Sequence, residues 1–183
     1  CIPYICFLCY IYFIRNKKFP GILDVGCASG LMTNQIATIF PESKVIGVDV
    51  YYDAIRLAKR KYPSIEFIKT NAHKLPFKNN YFNLITCYET IEHVSNPQKV
   101  LQEIHRVTKK NGTVILAMDS GSLMFRSIWW LWEKTKGKVW QGAHLHPFHH
   151  LELERIIKNA NFKIKEKRFS HFGMEVIFLI KKN

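Results

Sequence analysis

Two glycines and two acids in the first fifty residues have spacings that suit a small-molecule ligand. Gly26 and Gly30 lie in the stretch ILDVGCASG, directly after an apolar run. Small residues let the backbone pass close to a ligand and direct amide groups at it from the start of the next helix. Asp24 precedes this loop, and Asp49 ends the next apolar run. An acid placed like Asp49 can accept hydrogen bonds from both hydroxyls of a ribose, so the pattern predicts a nucleoside ligand.

The same spacing excludes two common nucleotide loops. A dinucleotide-binding G-x-G-x-x-G would need glycine at positions 28 and 31, where the chain has Ala28 and Leu31. No Gly-Lys-Ser or Gly-Lys-Thr follows, which excludes a triphosphate loop. The charge of Asp24 would repel a pyrophosphate, but it suits a ligand with a cationic group nearby, such as the ammonium of an amino acid. A tight strand-to-helix turn without any ligand is the alternative.

The elements that must position these residues follow a regular pattern from residue 21 onward. Short apolar runs alternate with amphipathic stretches, which is typical of right-handed crossovers and of a parallel sheet with helices on both faces. Near the other end, two strand-like runs separated by a few residues predict a hairpin that adds an antiparallel strand. The predicted strands are GILDV, KVIGVD, IEFIK, YFNLITC, TVILAM, FKIKEKRF and EVIFLIKK, and the predicted helices cover about 31–40, 52–61 and 96–108.

Composition sets broad limits on function. A chain of 183 residues fits one domain, and 48% hydrophobic residues are enough for a sizeable core. The 27 Lys and Arg against 14 acids give a net charge of +13, which would suit nucleic acid or an anionic membrane. The lysines are spread along the chain rather than collected into one stripe, so charge alone identifies no partner.

The first nineteen residues form a segment of their own. CIPYICFLCYIYFI has no charge and is followed by Arg15, Lys17 and Lys18. We expect either a helix packed on the domain of residues 20–183 or the end of a truncated membrane helix. The C-x-x-C of Cys6 and Cys9 lacks a second pair or suitable histidines, so we interpret these as buried thiols in a reducing compartment. No signal-peptide pattern is visible, and we expect a cytoplasmic, or membrane-associated, protein.

On these residues the chain resembles the class I S-adenosylmethionine-dependent methyltransferases, in particular the small branch that includes the ubiquinone and menaquinone methyltransferases. LDVGCASG is similar to that family's first motif, and VIGVDVYYDAIRLAKRK is similar to its second strand and following helix. NAHKLPFKNNYFNLITCYETIEHVSNPQKVLQEIHRVTKKNGTVIL matches its third to fifth strands. The resemblance covers about 20–118 and, more loosely, 143–181. It implies an α/β fold: a Rossmann-like, doubly wound, mostly parallel seven-stranded sheet with a C-terminal antiparallel hairpin. The least family-like segment, at about 121–142, is predicted from its position and composition to be a helical cap insertion.

The resemblance also implies S-adenosylmethionine as the cofactor and gives each contact a residue. Ala28 stands where the family usually has a middle glycine, and Asn71 stands where it usually has Asp, so weaker binding is expected at both positions. The implied contacts are Asp24 near the ammonium, Gly26, Cys27, Ala28 and Gly30 along the methionine part, Asp49 on the ribose, Val50, Asn71 and Ala72 around the adenine, and Tyr88 close to the cofactor.

Methyl transfer needs a nucleophile held close to the sulfonium, and a general base helps if the nucleophile is a hydroxyl. The resemblance places substrate-facing groups after the fourth strand, where Tyr88, Glu89, Glu92 and His93 occur. We predict that Glu89 and His93 face the substrate and that His93 is the base. The alternative is that His93 braces the start of the helix around Asn96. The residues CYET stand where amino-methylating nucleic-acid enzymes have an N-P-P-Y-type signature, which disfavours nucleic acid as the substrate.

The segment SGSLMFRSIWWLWEKTKGKVWQG contains all four tryptophans. We predict a mostly helical lid over residues 123–140, with Trp129 and Trp132 against an apolar acceptor. A membrane-surface element and a packed core helix are the alternatives. His144 and His146 are predicted to border the substrate pocket. No metal is expected, because transfer from a sulfonium needs none and no carboxylate or cysteine lies among these histidines.

The sequence thus predicts methyl transfer from S-adenosylmethionine to a small, apolar or lipid-like acceptor by O- or C-methylation. A cofactor-binding, non-catalytic partner subunit or regulator is the second hypothesis, and an RNA methyltransferase is the third. A membrane surface remains open as a partner, and the sequence gives no oligomeric state.

Overall fold

The computed structural model describes residues 7, 8, 10–12, 14–120, 149–170 and 173–183. Within these residues the chain forms a seven-stranded sheet in the order β3-β2-β1-β4-β5-β7-β6. The order reverses between β1 and β4, and this reversal defines the place where open α/β sheets bind ligands, beyond the carboxyl ends of the strands. The strands are β1 (Gly21–Val25), β2 (Lys44–Asp49), β3 (Glu66–Lys69), β4 (Phe82–Tyr88), β5 (Thr108–Asp119), β6 (Phe162–Ser170) and β7 (Glu175–Lys182).

Strand directions agree with the predicted α/β class. β1 to β5 pair in parallel, while β7 lies antiparallel between β5 and β6. In this register Asp24 lies opposite Gly47 on β2 and Thr86 on β4, so its side chain is at the centre of the sheet. The predicted mostly parallel seven-stranded sheet with a C-terminal antiparallel hairpin is confirmed.

The helices also follow the sequence pattern, and the three predicted ranges are confirmed to within one residue. They are α1 (Leu31–Ile39), α2 (Tyr52–Lys61) and α3 (Pro97–Val107), followed by α4 (His150–Asn159), and a short 3₁₀ helix (Ile91–His93) precedes α3. Asn96 caps α3 by accepting a hydrogen bond from the Lys99 amide at 2.9 Å, and Pro97 occupies its first turn.

The two faces of the sheet bury separate apolar clusters. On one face α3 and α4 pack against the central strands, through residues such as Leu101, Ile104 and Leu153. On the other face α1 and the N-terminal segment form the cover: Phe7 and Ile11 are fully buried, and the Phe7 ring lies 4.7 Å from that of Tyr88. Helices on both faces are what the crossover pattern predicts.

The described part of the N-terminal segment is helical at residues 7, 8 and 10–12, and it packs against the sheet. The Tyr10 hydroxyl donates a hydrogen bond to Glu166 on β6 at 2.7 Å, which fixes the segment across the hairpin. In the parts of the chain that the structure covers, no helix is both long and apolar enough to cross a membrane. The boundary between this segment and the domain remains a prediction, and the cap at about 121–142 lies outside the described residues.

Candidate functional site

The loop between β1 and α1 needs glycine at two positions. Gly26 and Gly30 have φ of 79° and 83°, which an L side chain rarely adopts. A Cβ added at Gly26 would lie 2.1 Å from Thr90 Oγ1, and one added at Gly30 would lie 2.7 Å from Phe67 Cζ. The loop after β4 therefore packs directly onto the first loop, because the Thr90 side chain occupies the space above Gly26.

Asp49 joins this loop to the end of β2. Its Oδ2 accepts a hydrogen bond from the Ala28 amide at 2.8 Å, and its Oδ1 accepts one from the Tyr51 amide at 2.9 Å. A carboxylate offers about four acceptor sites, so about two remain for the hydroxyls of a ribose. The half-buried Asp49 is thus held against the glycine loop at the switch point, where the sequence placed it.

Ala28 reaches this hydrogen bond from a strained conformation. Its φ is 45°, in the left-handed region that costs an ordinary residue roughly 1–2 kcal/mol. A glycine would adopt the same conformation without that cost. Having Ala28 where the family usually has glycine therefore adds backbone strain to the loop.

The loop amides are directed into the protein. Gly26 and Cys27 both donate to the carbonyl of Val48, at 2.8 and 3.0 Å, while Gly30 donates to the carbonyl of Cys27. Together with the bond from Ala28 to Asp49, these contacts occupy four amides of the loop. These four amides therefore face β2 and the loop itself. That amides at the start of α1 are directed at a ligand remains a prediction.

Asp24 lies beneath the loop and is almost completely buried. Its Oδ1 accepts a hydrogen bond from Thr86 at 2.7 Å, and its Oδ2 accepts one from Thr33 at 2.6 Å. Burial raises the pKa of Asp24, and the two hydroxyl donors oppose that rise. The carboxylate thereby joins β1 to β4 and α1. Its predicted contact with a ligand ammonium remains a prediction.

The side chains of Cys27 and Tyr88 belong to the core rather than to an open surface. Cys27 packs with Ile55 and Phe67, and burial raises the pKa of its thiol. Tyr88 packs on Phe7 under the N-terminal segment. The cofactor contacts implied for these two residues are untested.

The loop after β3 carries Asn71 and Ala72. Val50, which follows Asp49, is half exposed and could form an apolar surface for the adenine. The Oδ1 of Asn71 accepts hydrogen bonds from the amide of His73 at 2.9 Å and from its Nδ1 at 2.6 Å. The His73 Nε2 accepts one from the Asn96 amide at 3.2 Å, so the ring proton is on Nδ1. The Asn71 oxygen is therefore already engaged, and its predicted role toward an exocyclic amine would compete with His73.

Arg106 of α3 holds this loop from below. Its guanidinium donates to the carbonyls of Leu75 and Phe77 and to both oxygens of Glu103, while Glu103 accepts a hydrogen bond from the Leu75 amide. The hydrogen bonds from Arg106 hold the pKa of the Glu103 carboxyl below its usual value. A charged pair on a helix thus fixes the path of the loop that carries Asn71.

Acids gather at the ends of β4 and β5. Glu89 has φ of 46°, and its amide donates to the carbonyl of Ala117 at 2.9 Å. Glu92 is 3% exposed, and neither of its carboxylate oxygens accepts a hydrogen bond from any other described residue. Asp119 on β5 lies directly opposite Glu175 on β7.

Burial is the main reason why the carboxyl groups of Glu89, Glu92 and Asp119 have raised pKa values. It raises the pKa of Glu89 to about 10, with the charge of Glu92 adding to the effect. It raises the pKa of Glu92 to about 8 and that of Asp119 to about 7. Perturbed carboxyls beside a ligand site are candidates for proton transfer.

Comparison with known proteins supplies the family. The family described as Methyltransferase domain matches residues 23–116, which include both loops and the acids after β4. The chain belongs to this family. The match confirms the resemblance to class I S-adenosylmethionine-dependent methyltransferases and the enzyme class that was expected from the sequence.

Individual relatives agree with that assignment. An uncharacterized methyltransferase of Schizosaccharomyces pombe is 35% identical over 118 residues, which are 58% of this chain and 42% of that protein. A demethylmenaquinone methyltransferase of Chlorobaculum tepidum is 24% identical over 92% of this chain and 76% of its own length. The chain therefore spans less than half of the first relative and about three quarters of the second.

A solved structure of a methyltransferase has a similar fold. The crystal structure of a SAM-dependent methyltransferase from Methanosarcina mazei superposes with a TM-score of 0.74 at 22% identity, over 93% of this chain and 96% of that one. At this identity the likeness shows the fold alone.

The described residues would suit S-adenosylmethionine, the cofactor that the family implies. The ribose would meet Asp49, the methionine part would follow the loop of Gly26 and Gly30, and the adenine would lie by Val50 and Asn71. Each of these groups is at the carboxyl end of β1, β2 or β3. The donor set matches a neutral sugar and an amino acid better than a phosphate, because the charged groups at the loop are Asp24 and Asp49.

Some predicted residues lie outside the described part of the methyltransferase. They are Trp129, Trp132, His144 and His146, with the cap that carries the tryptophans. Among the residues that are described, no three His, Cys, Asp or Glu side chains are arranged to hold a metal ion.

The sequence predicts His93 as the base after β4. In the structure it is the neighbouring Glu92 that is buried, while the His93 side chain is exposed. A 3₁₀ helix of three residues is too short for an apolar periodicity to mark its inward face, so the sequence does not show that Glu92 rather than His93 is buried. His93 as the base remains a prediction.

Proposed function

We propose that this methyltransferase transfers the methyl group of S-adenosylmethionine to a small, apolar or lipid-like acceptor, by O- or C-methylation. The observation that carries the proposal is the pairing of Asp49 with the Ala28 amide, which holds the acid that we expect to bind the ribose against the glycine loop at the switch point. The relative from Chlorobaculum tepidum, whose name gives demethylmenaquinone as its substrate, supports a lipid-like acceptor.

The chain's residues would bind and orient, while the cofactor, when bound, supplies an electrophilic methyl group on its sulfonium. Asp49 would fix the ribose, and the loop of Gly26 and Gly30 would bring the backbone close to the methionine part. The acceptor would lie toward the ends of β4 and β5, next to Glu89 and Glu92. An in-line displacement depends mainly on such positioning.

Calorimetry with S-adenosylmethionine and S-adenosylhomocysteine tests the cofactor site. We expect both to bind. Asp49→Ala should weaken binding by roughly 1–3 kcal/mol, or about 5- to 150-fold, because two ribose hydroxyls lose their acceptor. Asp53→Ala is the matched control, since Asp53 is an exposed acid in the first turn of α2 and should leave affinity unchanged. No binding of either ligand would refute the function, and full affinity in the Asp49 variant would refute the placement of the ribose.

A second function has an observation in its favour. Ala28 is strained and the Asn71 oxygen is engaged by His73, so the cofactor cradle departs from the family's pattern at two contacts. A non-catalytic, cofactor-binding subunit or regulator would tolerate such changes. Incubation with methyl-labelled S-adenosylmethionine and a metabolite and lipid extract separates the two: labelled product supports the enzyme, and binding without any labelled product supports the subunit. Labelled RNA in a parallel incubation would identify an RNA methyltransferase instead.

A further inference from the structure

The Asn71 side chain is held in one orientation by His73. Its Oδ1 lies 2.9 Å from the backbone nitrogen of His73 and 2.6 Å from Nδ1 of the same residue. A backbone amide can only donate, so the Asn71 atom that it meets must be the carbonyl oxygen and not the amide nitrogen. The chemistry of these contacts therefore fixes which end of the Asn71 side chain faces His73.

His73 is itself fixed as a donor toward Asn71. Its Nε2 accepts a hydrogen bond from the backbone amide of Asn96 at 3.2 Å, so Nδ1 carries the ring proton. A carbonyl oxygen has two lone pairs, and His73 engages both of those on Asn71. Asn71 is exposed, and among the described residues no acceptor is bonded to its Nδ2. The free end of Asn71 is thus a pair of donors.

Two hydrogen bonds connect the start of this loop to the candidate cofactor site. The amide of Thr70 donates to the carbonyl of Asp49 at 2.8 Å, and the carboxylate of Asp49 accepts from the Ala28 amide. Asn71 therefore follows a residue that is bonded to the end of β2, on the side of β2 opposite β1. A nucleoside whose ribose meets Asp49 and whose methionine part follows the loop after β1 would direct its base toward Asn71.

The two ends of an asparagine side chain recognise different atoms of adenine. When both ends are free, the oxygen accepts a hydrogen bond from the exocyclic amine and the nitrogen donates one to the adjacent ring nitrogen. In this chain His73 occupies the oxygen, so only the second of these bonds is open to Asn71. The exocyclic amine can only donate, and the free end of Asn71 offers it no acceptor.

We propose that Asn71 contacts the base of the cofactor as a donor only, and that His73 is the positioning residue that keeps it so. This inference rests on the proposed function. The site then recognises a ring nitrogen of the purine but not the 6-amino group that distinguishes adenine from other purines. The consequence is a relaxed specificity: a cofactor whose purine lacks the amine should bind as well as the adenine form does.

The wild-type protein provides the first test. Calorimetry compares S-adenosylhomocysteine with its 6-deamino analogue, in which a hydrogen atom replaces the amino group of the base. The two should bind with affinities within about twofold of each other, because the amine gains no hydrogen bond from the protein. An analogue that binds about fivefold or more weakly would overturn the proposal, since the amine would then have an acceptor in the protein.

Asn71→Asp shows whether the base lies at this residue. A carboxylate has about four acceptor sites and His73 would occupy two, so the amine gains an acceptor. S-adenosylhomocysteine should then bind about tenfold more tightly than the analogue, as expected for a hydrogen bond to a charged group. An unchanged ratio of the two affinities would overturn the proposal. Asn111→Asp is the matched control, because it makes the same change at an exposed asparagine near the amino end of β5, and it should keep the wild-type ratio.

His73→Phe tests the positioning role. Phenylalanine keeps a ring but has no Nδ1 donor, so one lone pair of the Asn71 oxygen becomes available to the amine. The preference for S-adenosylhomocysteine over the analogue should therefore rise by about two- to tenfold. A ratio that stays at the wild-type value would overturn the role of His73. If this variant binds neither ligand, the Asn71→Asp result decides alone. Failure of the wild type to bind S-adenosylhomocysteine would refute the proposed function instead.

Discussion

Replacing Arg106 by Met tests whether α3 holds the loop that carries Asn71. Arg106 donates five hydrogen bonds: two to Glu103 and one each to the carbonyls of Leu75 and Phe77 and to the Asn79 side chain. At about 1 kcal/mol for each neutral contact and about 1.5–3 kcal/mol for the charged pair, the sum is roughly 5 kcal/mol. The Arg106 side chain is 31% exposed, so water replaces part of the loss, and we expect about 3 kcal/mol.

Urea unfolding monitored by circular dichroism measures this change in the free energy of unfolding. In thermal unfolding, a loss of about 3 kcal/mol should lower the melting temperature by roughly 6–12 °C in a domain of this size. The matched control is Arg56→Met, because Arg56 pairs with Asp53 at the same helical spacing of three residues but both side chains are largely exposed. Exposed pairs contribute about 0–1 kcal/mol, so this variant should stay close to the wild type.

The loss of stability in Arg106→Met should also depend on pH. Because Arg106 holds the pKa of Glu103 below its usual value, their pairing stabilises the fold above the usual glutamate range and is lost as the pH falls through the lowered pKa. The difference between the wild type and Arg106→Met should therefore shrink below pH ~4. Equal losses in the Arg106 and Arg56 variants, or a difference that persists unchanged in acid, would refute the reasoning.

Two other substitutions extend the test to the cofactor loop and the cap. Ala28→Gly should stabilise the protein by about 0.5–1 kcal/mol in thermal unfolding, because relief of the left-handed strain exceeds the added flexibility of the unfolded chain; a lower melting temperature would show that the strain is absent. Replacing Trp129 and Trp132 by Ala should reduce methyl transfer to the acceptor while leaving affinity for S-adenosylhomocysteine nearly unchanged. Joint loss of folding and cofactor binding would instead place the tryptophans in the core.

The sequence was a good guide where a local pattern carries the information. The strands and helices follow from apolar periodicity, and Asp49 follows from the alternation that puts it at the end of β2. The glycines were predicted as well, because a turn directly after a buried strand restricts the residue types that fit. In each case the constraint is local to a few consecutive residues.

The remaining features arise from contacts between distant residues. His73 reaches Asn96 across 23 positions, and Arg106 reaches Leu75 across 31. The burial of Glu92 depends on its packing against the ends of two strands. The direction of the loop amides depends on where β2 presents the carbonyl of Val48. No periodicity encodes such pairings, since each depends on how elements pack after they have formed.

The position of β7 has a consequence for the synthesis of the chain. A ribosome releases β6 before β7, yet β7 lies between β5 and β6, so β6 has no native partner strand until β7 has emerged. During that interval the backbone donors and acceptors of β6 are open to any other strand. Lys163, Lys165 and Lys167 alternate along it, and charged side chains on an unpaired edge discourage association between nascent chains. These lysines, which are part of the protein's positive charge, would thus reduce aggregation through β6 before β7 pairs with it.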